Sequence, residues 1–251
     1  MDEPGEDGAS VSQPTEGHTL RAYDDALADL RRHAHAMGVL ATDQVETAVR
    51  ALLETDGEAA QLVLVREQRV NQFQTDIEAE SFRLLARQSP VASDLRMVLA
   101  VTRAVIDLER AGDEAKKIAR FALASAGRSA AGPSRVIRRL LRHMAELAST
   151  SMRVAVDALD RGDATVAHEV ARLDREIDHE FEAALRQLMT VAMERARDLR
   201  SIFDTVFALK SLERIGDHAK NVAGHAVFVA SGMDVRAAMA ERGAPAPSSR
   251  H

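Results

Sequence analysis

The chain has 251 residues, a net charge of -6 and no cysteine, which excludes a disulfide scaffold and every thiolate metal site and fits a reducing compartment. The acidic balance argues against nucleic-acid binding through a basic surface. Six prolines and 3% aromatic residues, against abundant Ala, Leu, Val, Arg and Glu, predict an all-α protein.

In chain order, residues 1–17 are rich in Asp, Glu, Gly, Ser and Pro and read as a disordered acidic tail. A first helix is expected over Thr19–Glu54, stopping at Thr55-Asp56-Gly57. A second runs over Glu58–Gln88 and ends before Ser89-Pro90, where Ser89 suits a cap and Pro90 the first turn of a third helix reaching Ala124. Residues 127–133 form the linker between a first unit, 18–126, and a second, 134–232. There the fourth helix reaches Leu159, with Arg161-Gly162-Asp163 as the break, the fifth reaches Glu194 and the sixth Val229. Residues 233–251, with Gly243, Pro245 and Pro247, are expected to fray. Three helices per half joined by short turns predict two tandem antiparallel three-helix bundles. No basic start leads into an apolar run, so no secretory leader is expected. No stretch is long and apolar enough to cross a bilayer.

The two halves repeat. Leu108-Glu109-Arg110-Ala111-Gly112-Asp113 returns 104 positions later as Leu212-Glu213-Arg214-Ile215-Gly216-Asp217. Asp94-Leu95-Arg96 and Ala115-Lys116 recur at the same offset, so the chain is two copies of one unit. The third helix has a seam at intervals of seven, with Val98, Val105, Gly112 and Ala119 beside Val101, Leu108, Ala115 and Ala122. In the sixth helix it becomes Ile202, Leu209, Gly216 and Ala223 beside Thr205, Leu212, Ala219 and Ala226. Each seam glycine costs about 1 kcal/mol against alanine, which points to close helix approach at Gly112 and Gly216.

Beside the seam of the sixth helix lies a second stripe: Leu199, Phe203, Val206, Lys210, Glu213, Asp217, Lys220. The fifth helix carries its mirror image, Asp174, Asp178, Phe181, Leu185, Leu188, Ala192, acidic first and apolar later. In a hairpin turning near residues 195 and 196, positions summing to 391 lie opposite. Asp174 then faces Asp217, and Asp178 faces Glu213. The first half gives a thinner version, with Glu67 opposite Asp113 and Asn71 opposite Glu109.

Two carboxylates about 6 Å apart repel by roughly 3 kcal/mol at an effective dielectric of 20. Such a cluster stays wet, takes up protons or binds cations. Lys116, Lys117 and Lys220 offer neutralisation without a metal. An ion held there meets only oxygen ligands, which suits Fe, Mn, Mg or Ca. The remaining candidates read as ordinary surface: Asp94 and Asp198 as first-turn acids, Arg110 and Arg214 as salt-bridging or partner-contacting groups, His33 and His35 as solvent-facing. Glu176 and His179 make one Glu-x-x-His pair, where a di-iron bundle enzyme needs two. No catalytic motif and no organic cofactor site is legible.

These phrases resemble the PhoU family of phosphate-signalling regulators. The resemblance rests on Asp107 to Asp113, on Leu212-Glu-Arg-Ile-Gly-Asp-His-Ala-Lys-Asn-Val-Ala223 and on Leu85-Ala-Arg-Gln-Ser-Pro-Val-Ala-Ser-Asp-Leu-Arg96. It implies paired three-helix bundles in a cytoplasmic protein, commonly a homodimer, with no enzymatic turnover. It also implies negative regulation of the phosphate-starvation response between a phosphate ABC transporter and a membrane sensor histidine kinase. Family metal clusters on Glu/Asp-x-x-x-Asp motifs correspond here to Glu109 with Asp113 and Glu213 with Asp217. Lys117 stands where the family usually has Asn, and Gly224 where Glu is frequent, so two oxygen donors are missing. The competing expectations are a carboxylate-bridged di-iron oxidase and a metal-free helical scaffold.

Overall fold

The computed structural model describes residues 16–88, 90, 92–126, 134–194 and 199–232. Among these there are six helices and no strand: α1 Glu16–Glu54, α2 Gly57–Gln88, α3 Ala92–Ala126, α4 Arg135–Arg161, α5 Ala167–Glu194 and α6 Leu199–Ser231. Residues 1–15 and 233–251 of the expected tails, the cap at Ser89, the linker and Asp198 lie outside the described residues. Glu16 and Gly17, expected in the tail, open α1, and Pro90, expected in the first turn of α3, precedes that helix.

Local chemistry sets the ends. Ser134 caps α4 by accepting from the Ile137 amide at 3.4 Å. Gly162 closes the same helix in the left-handed region at φ 65°, donating to the Ala158 and Leu159 carbonyls. Asp163 then accepts from the amide and hydroxyl of Thr165 at 2.8 and 2.7 Å. At the α1–α2 turn the expected stop holds, but Gly57 is not the residue that bends it. Thr55 takes the positive φ, 59°, a conformation that costs a β-branched residue about 1–2 kcal/mol. Asp56 caps α2 through the Ala59 amide at 3.0 Å, and Gly57 opens that helix.

Both seams are buried along their whole length. The glycines mark close approach: a Cβ at Gly216 would lie 2.8 Å from Ile177 Cδ1, and one at Gly112 would lie 3.3 Å from Val70 Cγ1. A third tight contact, absent from the sequence reading, is Gly38, whose Cβ would meet Val156 Cγ2 at 2.5 Å.

The repeats pack along their length. α2 lies on α1 and α3, α5 lies on α4 and α6, and the centre is a ring in which α1 meets α4 and α3 meets α6. α3 and α6 run antiparallel. Near one end the Arg96 Nε donates to the Val229 carbonyl at 3.2 Å; towards the other, Phe121 stacks on Phe207 with ring centroids 6.1 Å apart. A single apolar core runs through both repeats. The sequence carries its trace in a run of Ala104, Ala111 and Ile118, repeated as Ala208, Ile215 and Val222, all buried.

Candidate functional site

The hairpin geometry expected for α5 and α6 is present. Lys210 Nζ lies 5.4 Å from the centre of the Phe181 ring, and those two positions sum to 391. Asp174 sinks to 5% exposure and accepts from Lys220 Nζ at 2.6 Å. Glu213 takes Lys210 Nζ at 2.6–2.7 Å, while Asp178 and Asp217 are exposed. Burial and then the charges of Asp174 and Asp217 raise the Asp178 pKa. Burial, Glu213 and Asp174 raise that of Asp217. The four carboxylates therefore share one field, partly answered by two lysines.

The first-half patch, thinner in sequence, is the tighter one in space. Glu67, Glu109 and Asp113 each offer an oxygen within 4.8 Å of the others, the only such trio of potential ligands among the described residues. Glu67 is 5% exposed and accepts from Asn71 Nδ2 at 2.7 Å, so Asn71 orients it. Burial, Asp113 and Glu67 push the Glu109 pKa up. Lys116 Nζ stands 3.1 Å from Glu67 and 3.3 Å from Asp113. Burial works against its charge, but those two carboxylates prevail and its pKa rises. Lys116 and Lys220 thus play the same part in the two repeats. Lys117 does not join them; it turns to Glu114 at 2.8 Å. An all-carboxylate trio suits a hard cation with oxygen ligands, provided that the Lys116 ammonium swings aside.

Between the patches, α3 and α6 form a depression of about 340 Å³ lined by Asp113 and Asp217, with Arg110, Glu114, Lys117, Arg214 and His218. The repeat pairs Arg110 with Arg214 and Asp113 with Asp217, so the depression lies on the pseudo-twofold that relates the halves. Arg214 crosses it to Glu114 at 3.2 Å.

Beneath it lies a polar cluster that sequence reasoning missed. Asp107, 6% exposed, meets His218 Nδ1 at 3.0 Å, Asn221 Nδ2 at 3.0 Å and His225 Nε2 at 3.4 Å. Burial alone would raise its pKa, but hydrogen bonds from His218, His225 and Asn221 overcome that and hold the carboxyl well below the usual carboxylate range. Glu114 makes the reciprocal arrangement: against burial, Lys117, Ser211 and Arg214 lower its pKa. Asp107 and Ser211 are counterparts in the repeat, as are Glu114 and His218, so one pseudo-symmetric pair is built twice with its polarity exchanged.

Other expectations change. His33 and His35 are only half exposed, and each meets a carboxylate, Glu80 at 2.9 Å and Asp157 at 3.1 Å. Glu176 pairs with Arg172 at 2.9 Å, and His179 is exposed.

The PhoU domain family matches residues 34–122 and again 141–226. The chain belongs to the PhoU family. It is 42% identical over 221 residues to the phosphate-specific transport system accessory protein PhoU homolog of Pseudomonas putida, covering 87% of this chain and 84% of that one. It is 31% identical over 219 residues to the PhoU accessory protein of Escherichia coli K12, at 87% and 89% coverage. The crystal structure of PhoU from Pseudomonas aeruginosa superposes with a TM-score of 0.79 at 40% identity, over 84% of this chain and all 100% of that one. The phosphate transport system regulatory protein PhoU of Streptococcus pneumoniae gives 0.76 at 26% identity, over 84% and 98%. In this PhoU-family chain, among the described residues, no helix is long and apolar enough to cross a membrane.

Proposed function

We propose that this protein is a non-enzymatic regulator of phosphate uptake and phosphate-starvation signalling. It acts negatively, through protein contacts at the inner membrane face, between a phosphate ABC transporter and a sensor histidine kinase, as a cytoplasmic homodimer. The observation that carries the reading is the family match in both repeats, joined to relatives named as phosphate transport accessory proteins. The chemistry agrees. The described residues hold paired carboxylates and lysines, which bind and present charge. Affinity capture from membranes of phosphate-replete and phosphate-starved cells tests the reading. Transporter and kinase subunits should co-purify in a phosphate-dependent manner, and recovery of neither would refute it.

On the same reading, Glu67, Glu109 and Asp113, with Asn71 as support, hold an oxygen-liganded ion such as Fe, Mn, Mg or Ca. Asp174, Asp178, Glu213 and Asp217 form the second, looser site. A metal-free regulator is the alternative, favoured by the ion pairs of Lys116 and Lys220 inside the two patches. Metal analysis of protein purified without chelator separates them.

A further inference from the structure

The first turns of α2, α3 and α5 each carry an acid: Glu58, Asp94 and Glu169. That is the sign a helix N-terminus favours. α4, like α6, departs from the pattern. It has no acid in its first turn, contains Arg135, Arg138, Arg139 and Arg142, and reaches its first carboxylate only at Glu146. These arginines lie at i, i+3, i+4 and i+7, so they share one face along about 10 Å of helix. Like charges at such spacings repel, and the first two also oppose the helix dipole.

The local arrangement is therefore unfavourable, and the fold leaves it unrelieved at three of the four positions. Arg135, Arg139 and Arg142 are exposed, with no hydrogen-bond or ion-pair partner among the described residues. In α1, the counterpart helix of the first repeat, Arg31, Arg32 and His35 are answered by Asp160, Asp29 and Asp157. At that level the first repeat thus pairs its cations, whereas Arg135, Arg139 and Arg142 of the second have no such partner among the described residues. On a chain of net charge -6, the row is a local concentration of the minority sign.

A groove of about 560 Å³ between α4 and α5 lies beside it, with Arg139 and Arg142 in its wall and buried Leu140 and Met144 at its floor. Two acids also line it. They are Glu146 and Glu180, the latter 3.9 Å from His143, which answers it only when protonated. The volume falls in the range of small-molecule sites, about 300–1,000 Å³. Guanidinium forks match phosphate oxygens two at a time.

We propose that the α4–α5 groove binds a multiply charged, phosphate-bearing anion, gripped by Arg139 and Arg142 with Arg135 and Arg138 extending the field along α4. The site uses none of the carboxylates of the α2–α3 and α5–α6 patches and does not depend on the regulatory reading. A soluble oligophosphate and an anionic lipid headgroup offer the same chemistry.

The full-length protein is titrated with tripolyphosphate by calorimetry at low and at physiological salt. In parallel it is sedimented with phosphatidylcholine vesicles with and without phosphatidylglycerol. Saturable binding of tripolyphosphate identifies a soluble ligand; sedimentation only with phosphatidylglycerol identifies a headgroup. Either should weaken by about tenfold or more in Arg139→Gln/Arg142→Gln and to an intermediate degree in Arg142→Gln alone. It should be unchanged in Arg172→Gln/Arg186→Gln, whose arginines pair with Glu176 and Glu182 on α5. Arg139 and Arg142 are exposed, so their variants should keep the wild-type helicity and melting temperature. No binding in either arm, or binding that survives the double substitution, overturns the proposal.

Discussion

Asp107 on α3 and His218 on α6 bond across the boundary between the repeats at 3.0 Å, and the pseudo-twofold carries that pair onto Ser211 and Glu114. The junction thus holds a polar clasp beside an apolar stripe, and its main carboxylate is charged, buried and hydrogen-bonded by three side chains. Removing one side of such an arrangement strands the other. Asp107→Ala should cost about 3 kcal/mol or more, and Asp107→Asn less, as read from urea unfolding.

The same carboxylate sets part of the acid limb of stability. Its pKa is depressed in the folded state, so its contribution is complete above the unfolded value of about 4. That contribution drains away as pH falls towards the folded value. Glu114, also depressed, adds to the same limb. Melting temperature against pH should therefore drop more shallowly below about pH 4 in Asp107→Asn than in the wild type.

Glu109 works with the opposite sign. Its pKa is raised, so ionisation at neutral pH is a penalty that protonation or a bound cation removes. In chelator at pH 7, Glu109→Gln should melt roughly 1–3 °C higher than wild type. A divalent ion should stabilise the wild type and leave the variant nearly unmoved. A lower melting point for Glu109→Gln in chelator would contradict the electrostatic account of the patch.

Gly38 tests the packing between repeats. Alanine there gains about 1 kcal/mol of helix propensity but drives a methyl into Val156, at 2.5 and 2.7 Å from its two methyl carbons. Overpacking costs about 1–3 kcal/mol, so Gly38→Ala should be destabilising by about 1 kcal/mol net. Val156→Ala in the same chain should restore much of the loss. Gly112→Ala, with its nearest neighbour at 3.3 Å, should stay within about 0.5 kcal/mol of wild type.

The fold was legible where periodicity and turn chemistry are local. Val98, Val105 and Gly112 announce a seam, Arg161-Gly162-Asp163 a stop, and the mirrored stripes of α5 and α6 a hairpin whose register Phe181 and Lys210 keep. The approach of α3 to α6 was less accessible, because it joins residues over a hundred positions apart and no spacing fixes that register. Its apolar trace, Ala104, Ala111 and Ile118, was in plain sight. Asp107 and Glu114 interrupt that stripe as charged residues, and only partners on another helix explain them. The carboxylates were found by spacing. Which patch closes more tightly depended on side-chain reach: Glu67 is long enough to meet Glu109 and Asp113, and its counterpart Asp174 turns to Lys220 instead.

The most direct measurement is alkaline phosphatase activity in phosphate-replete cells lacking this protein, with and without the intact chain supplied in trans. Activity should be high in the deletion strain and repressed once the chain is restored. Activity in the deletion strain equal to that of its parent would contradict it.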